Sequence, residues 1–241
     1  MKKNFFLNLS LKKKNLYKLY LYYNLYIRNF KYLFKKNYSQ LNEDLFIKNY
    51  FNKSNGFFVD IGCHHPYKGN NTFLLYKNGW SGINIDLSKI SIDLFKIFRP
   101  RDINLNLALS NKVKKVKFYI PNDNLLSPEI TTSKKFSKRL KLHHRNLYKS
   151  FKIYTTTWNF IEKKYKIYLK SVDLLKIDIE GSDLKILKTI NLKKLSPKLI
   201  MIEAPTFDKI SRNQIMNYLK YKNYRIIFDN KLNIICKKKG Q

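Results

Sequence analysis

The sequence predicts an α/β fold with a mostly parallel sheet, helices on both faces and an antiparallel hairpin at the C-terminus. From Phe57 onward, short apolar runs alternate with helical stretches, as expected for parallel strands joined by crossover helices. Near the end, Tyr224 to Asp229 and Leu232 to Cys236 are separated only by Asn230-Lys231, which is typical of a hairpin turn. The chain of 241 residues is long enough for one such domain.

The other strands and helices are predicted from the same alternation. The strands are Phe57 to Ile61, Gly82 to Asp86, Ile103 to Leu109, Leu174 to Ile179 and Leu199 to Glu203. The helices, bounded by cap residues, glycine or proline, are Asn70 to Lys77, Ser88 to Phe98, Ser182 to Ile190 and Arg212 to Lys222. A short strand, Lys115 to Ile120, precedes a long basic segment at about 121–152, which we interpret as an insertion beside the site.

The N-terminal part of the chain differs from the rest in polarity, since no acidic residue occurs before Glu43. Apolar residues at helical spacing predict an amphipathic helix over roughly Asn15 to Lys36. We therefore divide the chain into a basic, aromatic-rich helical extension at 1–50 and the α/β domain at 51–241. The longest uncharged run in the extension, Leu19 to Ile27, is far shorter than the roughly 20 residues that cross a bilayer, so no transmembrane segment is predicted.

The net charge of the chain is +33, from 49 Lys and Arg against 16 Asp and Glu. Such a chain repels itself in solution, and a polyanionic partner would supply the missing counter-charge. RNA, above all ribosomal RNA, is the leading prediction, together with neighbouring proteins of a ribonucleoprotein. A surface that lysine merely solvates and an anionic membrane surface are the alternatives.

Composition also bears on the compartment. The residue usage is that of AT-rich codons, and Cys63 and Cys236 lack any zinc-like or Cys-x-x-Cys spacing, so we interpret both as reduced structural thiols. The acid-free N-terminal block resembles a mitochondrial targeting sequence but is poor in Ser and Arg, and we favour a retained arm. The expected location is the mitochondrion or another organelle with an AT-rich genome, with the cytoplasm as the alternative.

Candidate ligand-binding residues follow the predicted strands. Ligands of open parallel sheets bind beyond the carboxyl ends of the strands, where Asp60, Gly62 and Asp86 stand. A carboxylate such as Asp86 can accept hydrogen bonds from both hydroxyls of a ribose, and Gly62 would let the backbone approach a ligand. The full Gly-x-Gly-x-x-Gly phosphate cradle is absent, which favours a cofactor without pyrophosphate, such as S-adenosylmethionine.

Four segments then appear in a recognisable order. They are Phe58-Val59-Asp60-Ile61-Gly62, Gly79-Trp80-Ser81-Gly82-Ile83-Asn84-Ile85-Asp86, Leu175-Lys176-Ile177-Asp178-Ile179-Glu180-Gly181 and Ile200-Met201-Ile202-Glu203. Together they resemble the FkbM-type methyltransferase family, over roughly Phe57 to Glu203. The resemblance implies a class I methyltransferase (Rossmann-like) fold, and S-adenosylmethionine-dependent O-methylation of sugars or small molecules. Cys63 stands where a small residue such as Ala is more usual.

The resemblance also implies roles for individual residues. The cofactor-binding candidates are Asp60, Gly62, Asp86 and Glu203, and the catalytic candidates are Asp178, Glu180 and His64. Asp178 is the first candidate for the base that takes a proton from the attacking oxygen, and His64 is the second. Alternatively, Asp178 and Glu180 only stabilise the N-terminus of the predicted helix Ser182 to Ile190, and His64 and His65 are ordinary turn histidines. No metal site is predicted, because no further ligands cluster around the histidines in the sequence.

Two functions of different class follow from these observations. The leading one is a non-catalytic RNA-associated protein, such as a component of an organellar (mitochondrial) ribosome or another ribonucleoprotein, that keeps a methyltransferase fold as a scaffold and in which the S-adenosylmethionine site can be retained. The other is an active S-adenosylmethionine-dependent O-methyltransferase acting on a sugar, a small molecule or RNA. The candidates for RNA contact, or for packing on a partner protein, are Tyr17, Tyr20, Tyr22, Tyr23 and Tyr26.

Overall fold

The computed structural model describes residues 14–121, 126–127, 130–134, 136–138 and 148–240. The strands are β1 (Phe57–Ile61), β2 (Ser81–Asp86), β3 (Ile103–Asn106), β4 (Ala108–Leu109), β5 (Lys115–Pro121), β6 (Tyr148–Thr156), β7 (Leu174–Ile177), β8 (Leu199–Glu203), β9 (Tyr224–Asp229) and β10 (Asn233–Lys238). A seven-stranded sheet has the order β3-β2-β1-β7-β8-β10-β9, and a smaller sheet has the order β4-β6-β5.

The large sheet is parallel except for one strand. β1 pairs in parallel with β2 and β7, while β2 pairs with β3 and β7 pairs with β8 in the same sense. β10 is antiparallel to both of its neighbours, because it is the second arm of the hairpin and inserts between β8 and β9. The predicted fold class, with its C-terminal antiparallel hairpin, is therefore confirmed.

Helices cover both faces of the large sheet. They are α1 (Lys14–Tyr23), α2 (Glu43–Phe51), α3 (Phe73–Lys77), α4 (Lys89–Phe98), α5 (Trp158–Lys164), α6 (Asp183–Leu187), α7 (Leu192–Leu195) and α8 (Lys209–Tyr221). Successive residues of a strand point to opposite faces, so Val59 joins the core under α5, α6 and α8, whereas Phe58 joins the core under α2 and α3. The apolar residues of each strand therefore contribute to two hydrophobic cores, one on each face of the sheet.

Two predicted strands are shorter in the structure, and this difference shapes the site. The strand predicted over Ile103 to Leu109 breaks at Leu107, whose N–H donates to the carbonyl of Asp86 before the chain enters the smaller sheet. The strand predicted over Leu174 to Ile179 ends at Ile177, so Asp178 and Glu180 lie in the loop that follows. Loop residues at a strand end can turn their side chains toward a ligand.

The single helix predicted over Asn15 to Lys36 is interrupted. α1 ends at Tyr23, a π-helical turn covers Asn24–Arg28 and a 3-10 turn covers Phe30–Phe34. At the break, the Asn29 amide donates to the backbone carbonyl and side-chain oxygen of Asn24, each at 3.0 Å. These local side-chain bonds compete with the helical hydrogen-bond pattern.

The inner side of this N-terminal segment packs on the α/β domain itself. Tyr20, Leu21 and Leu25 are buried against residues of the domain that include Tyr67 and Phe73. On this side, the apolar residues of the N-terminal segment are therefore covered by the α/β domain of the same chain. The outer side keeps exposed apolar side chains, namely Leu19, Tyr22, Tyr23, Tyr26, Ile27, Phe30 and Phe34. Residues 1–13 of the predicted extension lie outside the described residues.

Among the residues that the structure describes, no helix combines the length and the apolar character needed to span a membrane. Cys63 and Cys236 are both buried and free.

Candidate functional site

A cleft opens at the carboxyl ends of β1, β2 and β7, where the chain order of the sheet reverses. Its walls include Gly62, His64, Asp86, Asp178 and Glu180, all of which were predicted from the sequence. The space between its walls, including the part open to solvent, is about 890 Å³. Its apolar walls are formed by Ile85, Leu107, Ala108, Leu109 and Ile130. The cleft can therefore hold a ligand with both an apolar and a polar end.

Asp86 occupies the position at the end of β2 that the ribose prediction requires. One of its oxygens, Oδ2, accepts from the backbone N–H of His64 at 2.9 Å, and Oδ1 accepts from that of Ser88 at 2.7 Å. Burial raises the pKa of Asp86 to about 6 although both N–H groups favour the ionised form. The group is thus a carboxylate at neutral pH, and each oxygen retains a second acceptor site.

Gly62 is required for a reason other than the predicted one. Its φ is +83°, and a Cβ at this position would lie 1.7 Å from the carbonyl oxygen of Asp178. The expectation was that glycine admits a ligand, but the structure shows that it first admits the backbone that follows β7. The N–H of Gly62 also donates to the carbonyl of Ile85 at 2.8 Å, which ties the end of β1 to β2.

Asp60 lies behind the cleft and does not line it. The carboxylate is fully buried, accepts from the hydroxyl of Thr72 at 3.0 Å and lies 3.2 Å from Nζ of Lys176. Nζ of Lys176 also donates to the carbonyl of Gly62 at 2.6 Å and lies 3.5 Å from Oδ2 of Asp178. Burial alone would lower the pKa of Lys176, but the carboxylates of Asp60 and Asp178 raise it. Lys176 therefore connects the buried acid to the acid that faces the cleft.

Sequence reasoning missed Lys176 because it is one lysine among many. A signal was nevertheless present, since Lys176 interrupts the apolar run of β7, and the strand register places it directly opposite Asp60.

Asp183 was missed as well. Its carboxylate accepts from the N–H groups of Ile179 at 2.8 Å and Gly181 at 3.0 Å, and so holds the loop after β7. Burial and the charge of Asp178 raise the pKa of Asp183 to about 6.

Three acids meet beside this loop. Carboxylate oxygens of Asp178, Glu180 and Glu203 all lie within 4.8 Å of one another. Burial, together with the carboxylates of Glu180 and Asp178, raises the pKa of Glu203 well above its ordinary value. The three acids, predicted separately, thus form one cluster that could hold a positively charged group, either a metal ion or a cationic part of a ligand.

The two histidines have different surroundings. His64 lines the cleft, and burial lowers its pKa to about 4, so the ring is neutral at pH 7. His65 turns away from the cleft, where Nδ1 accepts from the N–H of Lys68 at 3.1 Å and Nε2 lies 3.1 Å from Oδ1 of Asn24. His65 therefore attaches the loop after β1 to the N-terminal segment.

The described part of the predicted insertion contacts the site. Ser127, Ile130 and Thr132 line the cleft, and the hydroxyl of Thr131 donates to the carbonyl of Glu180 at 2.6 Å. The remaining residues of 121–152 that lie outside the described ranges include Asp123 and Glu129. The described residues of the insertion thus form one wall of the cleft and fix the backbone of a site acid.

Comparison with known protein families identifies the domain. The profile of the methyltransferase FkbM domain matches residues 60–226, which is more than half of the chain and contains all the acids of the cleft. The chain belongs to the FkbM methyltransferase family. The seven-stranded sheet of this FkbM domain is accordingly a methyltransferase fold, as predicted. A search of curated proteins finds no match to the chain.

FkbM methyltransferases generally use S-adenosylmethionine, and the cleft residues suit that molecule. Asp86 presents a carboxylate for the ribose hydroxyls, and the apolar walls suit the adenine ring. Asp178 and Glu180 bring negative charge to the other side of the cleft, where a sulfonium or an ammonium group would be stabilised. The donor set of this FkbM chain therefore fits the cofactor.

Proposed function

We propose that this chain is an S-adenosylmethionine-dependent O-methyltransferase and that the cofactor binds in the cleft at the ends of β1, β2 and β7. The observation that carries the proposal is the Asp86 carboxylate, which lines the cleft together with Asp178 and Glu180. A dinucleotide would need a phosphate cradle, which the sequence after Gly62 lacks. The acids instead favour a ligand that carries positive charge and a ribose.

The residues of the chain would position the acceptor and take up its proton. When bound, S-adenosylmethionine supplies a methyl group on a sulfonium that departs with the bonding electrons. Asp178 is the candidate base, because its carboxylate lines the cleft, is 32% exposed and is held by Lys176. His64 is the second candidate, since its ring lines the cleft and is neutral at pH 7, but its lowered pKa makes it a weaker base than an ordinary histidine. Glu180, which also lines the cleft, would add negative charge beside the reacting groups.

Replacing Asp86 tests the proposal. In Asp86→Asn only one of the backbone N–H groups of His64 and Ser88 can keep its acceptor, because an amide has a single oxygen, and the charged acceptor for the ribose hydroxyls is lost. Charge-assisted hydrogen bonds contribute about 1.5–3 kcal/mol, so we expect the affinity for S-adenosylmethionine to fall about 10- to 100-fold. Isothermal titration measures this change. Asp229→Asn, at an exposed residue of β9, is the matched control and should bind like the wild type.

The pH dependence of the same titration checks the cause. The pKa of Asp86 is raised to about 6, so the carboxylate is ionised above this pH and is protonated below it. Wild-type affinity should therefore decrease as the pH falls through 6, by at most about ten-fold per pH unit for one proton, and the dependence should be weaker in Asp86→Asn. An absence of binding by the wild type at pH 7.5, or equal affinity of the variant, would contradict the proposal.

A second candidate function, association with RNA, is supported by the net charge of +33. The exposed side chains of Tyr22, Tyr23 and Tyr26 on the N-terminal segment could stack on bases. Under this proposal the chain is a component of an organellar ribosome or of another ribonucleoprotein. Sedimentation tests it: co-migration with ribosomal subunits at high salt is the expected result, and a free monomer at low salt would argue against it.

A further inference from the structure

A second cleft, the basic groove, lies between the N-terminal segment and the loop that follows β1. The space between its walls, including the part open to solvent, is about 1270 Å³, and these walls include Arg28, Lys35 and Lys68. No Asp or Glu occurs among the described residues that line it. The three cations thus belong to a concave surface rather than to a convex, fully solvated face.

Both lysines of the groove lie beside the same aromatic ring. Nζ of Lys35 lies 4.6 Å and Nζ of Lys68 lies 5.3 Å from the centroid of the Tyr32 ring. Within the described ranges, no carboxylate forms an ion pair with Arg28, Lys35 or Lys68. Two ammonium groups beside one ring within a cavity suit a compact anion such as a phosphate group, whereas a nucleic-acid backbone is contacted by cations spaced along a track.

The basic groove adjoins the cofactor cleft. Gln40, His64 and Gly69 line both cavities, so these residues form the junction between them. The charges on the two sides are opposite, because the acids Asp86, Asp178 and Glu180 line only the cofactor cleft. A cationic ligand is therefore favoured on one side of the junction and an anionic ligand on the other.

We propose that the basic groove binds the phosphate group of the methyl acceptor, a small phosphorylated molecule whose free hydroxyl reaches the cofactor cleft past His64. The identification of this ligand as the acceptor rests on the proposed methyltransferase function. At the junction, the Gln40 amide is available to bond to the acceptor, since it makes no hydrogen bond to another described residue. The basic groove thus selects acceptors that carry a phosphate group, and the acids of the cofactor cleft act on the hydroxyl of the acceptor.

Two triple variants of equal charge test this inference. Arg28→Gln/Lys35→Gln/Lys68→Gln removes the cations of the groove, and Lys193→Gln/Lys209→Gln/Lys220→Gln removes three exposed lysines elsewhere. The probe is inorganic pyrophosphate, titrated by calorimetry at fixed ionic strength. We expect the groove variant to bind pyrophosphate about 100-fold more weakly than the wild type, because it loses several charge-assisted contacts. The control variant should stay within about three-fold, since it loses only distant, screened charges.

The same proteins are titrated with S-adenosylmethionine and with a short single-stranded RNA. Unchanged S-adenosylmethionine affinity in both variants would show that they are folded. Equal loss of pyrophosphate binding in the two variants, or no binding by the wild type, would overturn the inference and leave the cofactor site standing. Pyrophosphate binding without S-adenosylmethionine binding would instead count against the methyltransferase function. If the groove cations are needed for RNA binding and not for pyrophosphate binding, the groove is a nucleic-acid site and the inference is wrong.

Discussion

Replacing Lys176 by Met is expected to destabilise the protein by about 3–5 kcal/mol, because it leaves a fully buried carboxylate without its counter-charge. In the wild type, Asp60 lies 3.2 Å from Nζ of Lys176, and the same ammonium group donates to the carbonyl of Gly62. Methionine fills a similar volume but offers no charge and no donor. Urea denaturation followed by circular dichroism measures the change in the free energy of unfolding.

Two further variants show whether the buried charge is the cause. Asp60→Asn combined with Lys176→Met removes both charges, and the hydroxyl of Thr72 can still donate to the amide oxygen, so stability should largely recover. Lys193→Met, at an exposed lysine, should change the free energy of unfolding by less than about 0.5 kcal/mol. The account of this ion pair is wrong if the double variant is no more stable than Lys176→Met.

Gly62→Ala is expected to have the second largest effect. The left-handed backbone at φ +83° costs an alanine about 1–2 kcal/mol, and the overlap of its Cβ with the carbonyl oxygen of Asp178 adds about 1–3 kcal/mol. The overlap can be relieved only by moving the loop that carries Asp178 and Glu180. The variant should therefore lose both stability and affinity for S-adenosylmethionine, which denaturation and calorimetry measure separately.

Gly69→Ala provides a matched control for this variant. Gly69 also has a left-handed backbone, with φ +61°, but a Cβ there would meet no atom within 4 Å. Its expected cost is therefore only the backbone part, about 1–2 kcal/mol. Equal destabilisation by the two substitutions would mean that the contact between Gly62 and Asp178 is not the constraint that we describe.

Most of the fold could be predicted from local patterns. The bounds of β1, β8 and β9 agree with the apolar runs, and Ser88 caps α4 as its sequence position indicates. The predicted helix over Asn15 to Lys36 failed because nothing in its apolar spacing reveals that Asn24 and Asn29 bond to each other and contact His65. Such contacts depend on the domain against which the segment packs.

The residues of the candidate site that stand at the ends of parallel strands could be predicted from the sequence. Gly62, Asp86, Asp178 and Glu180 meet at one cleft because parallel strands direct their carboxyl ends to the same edge of the sheet. Asp60 was expected to bind the cofactor, but its side chain is buried behind the cleft and does not line it, since residues at the end of a strand alternate between the cleft and the core. Strand position alone does not distinguish these two cases.

The sequence by itself determined the parallel sheet, the cluster of acids at its edge and the large positive charge, because each follows from residue type and order. Only the tertiary structure decided that Lys176 pairs with Asp60, that Gly62 makes room for the backbone at Asp178, and that basic and acidic clefts meet at His64. These features depend on distances between residues far apart in the chain, and such distances exist only once the strands and the N-terminal segment have packed together.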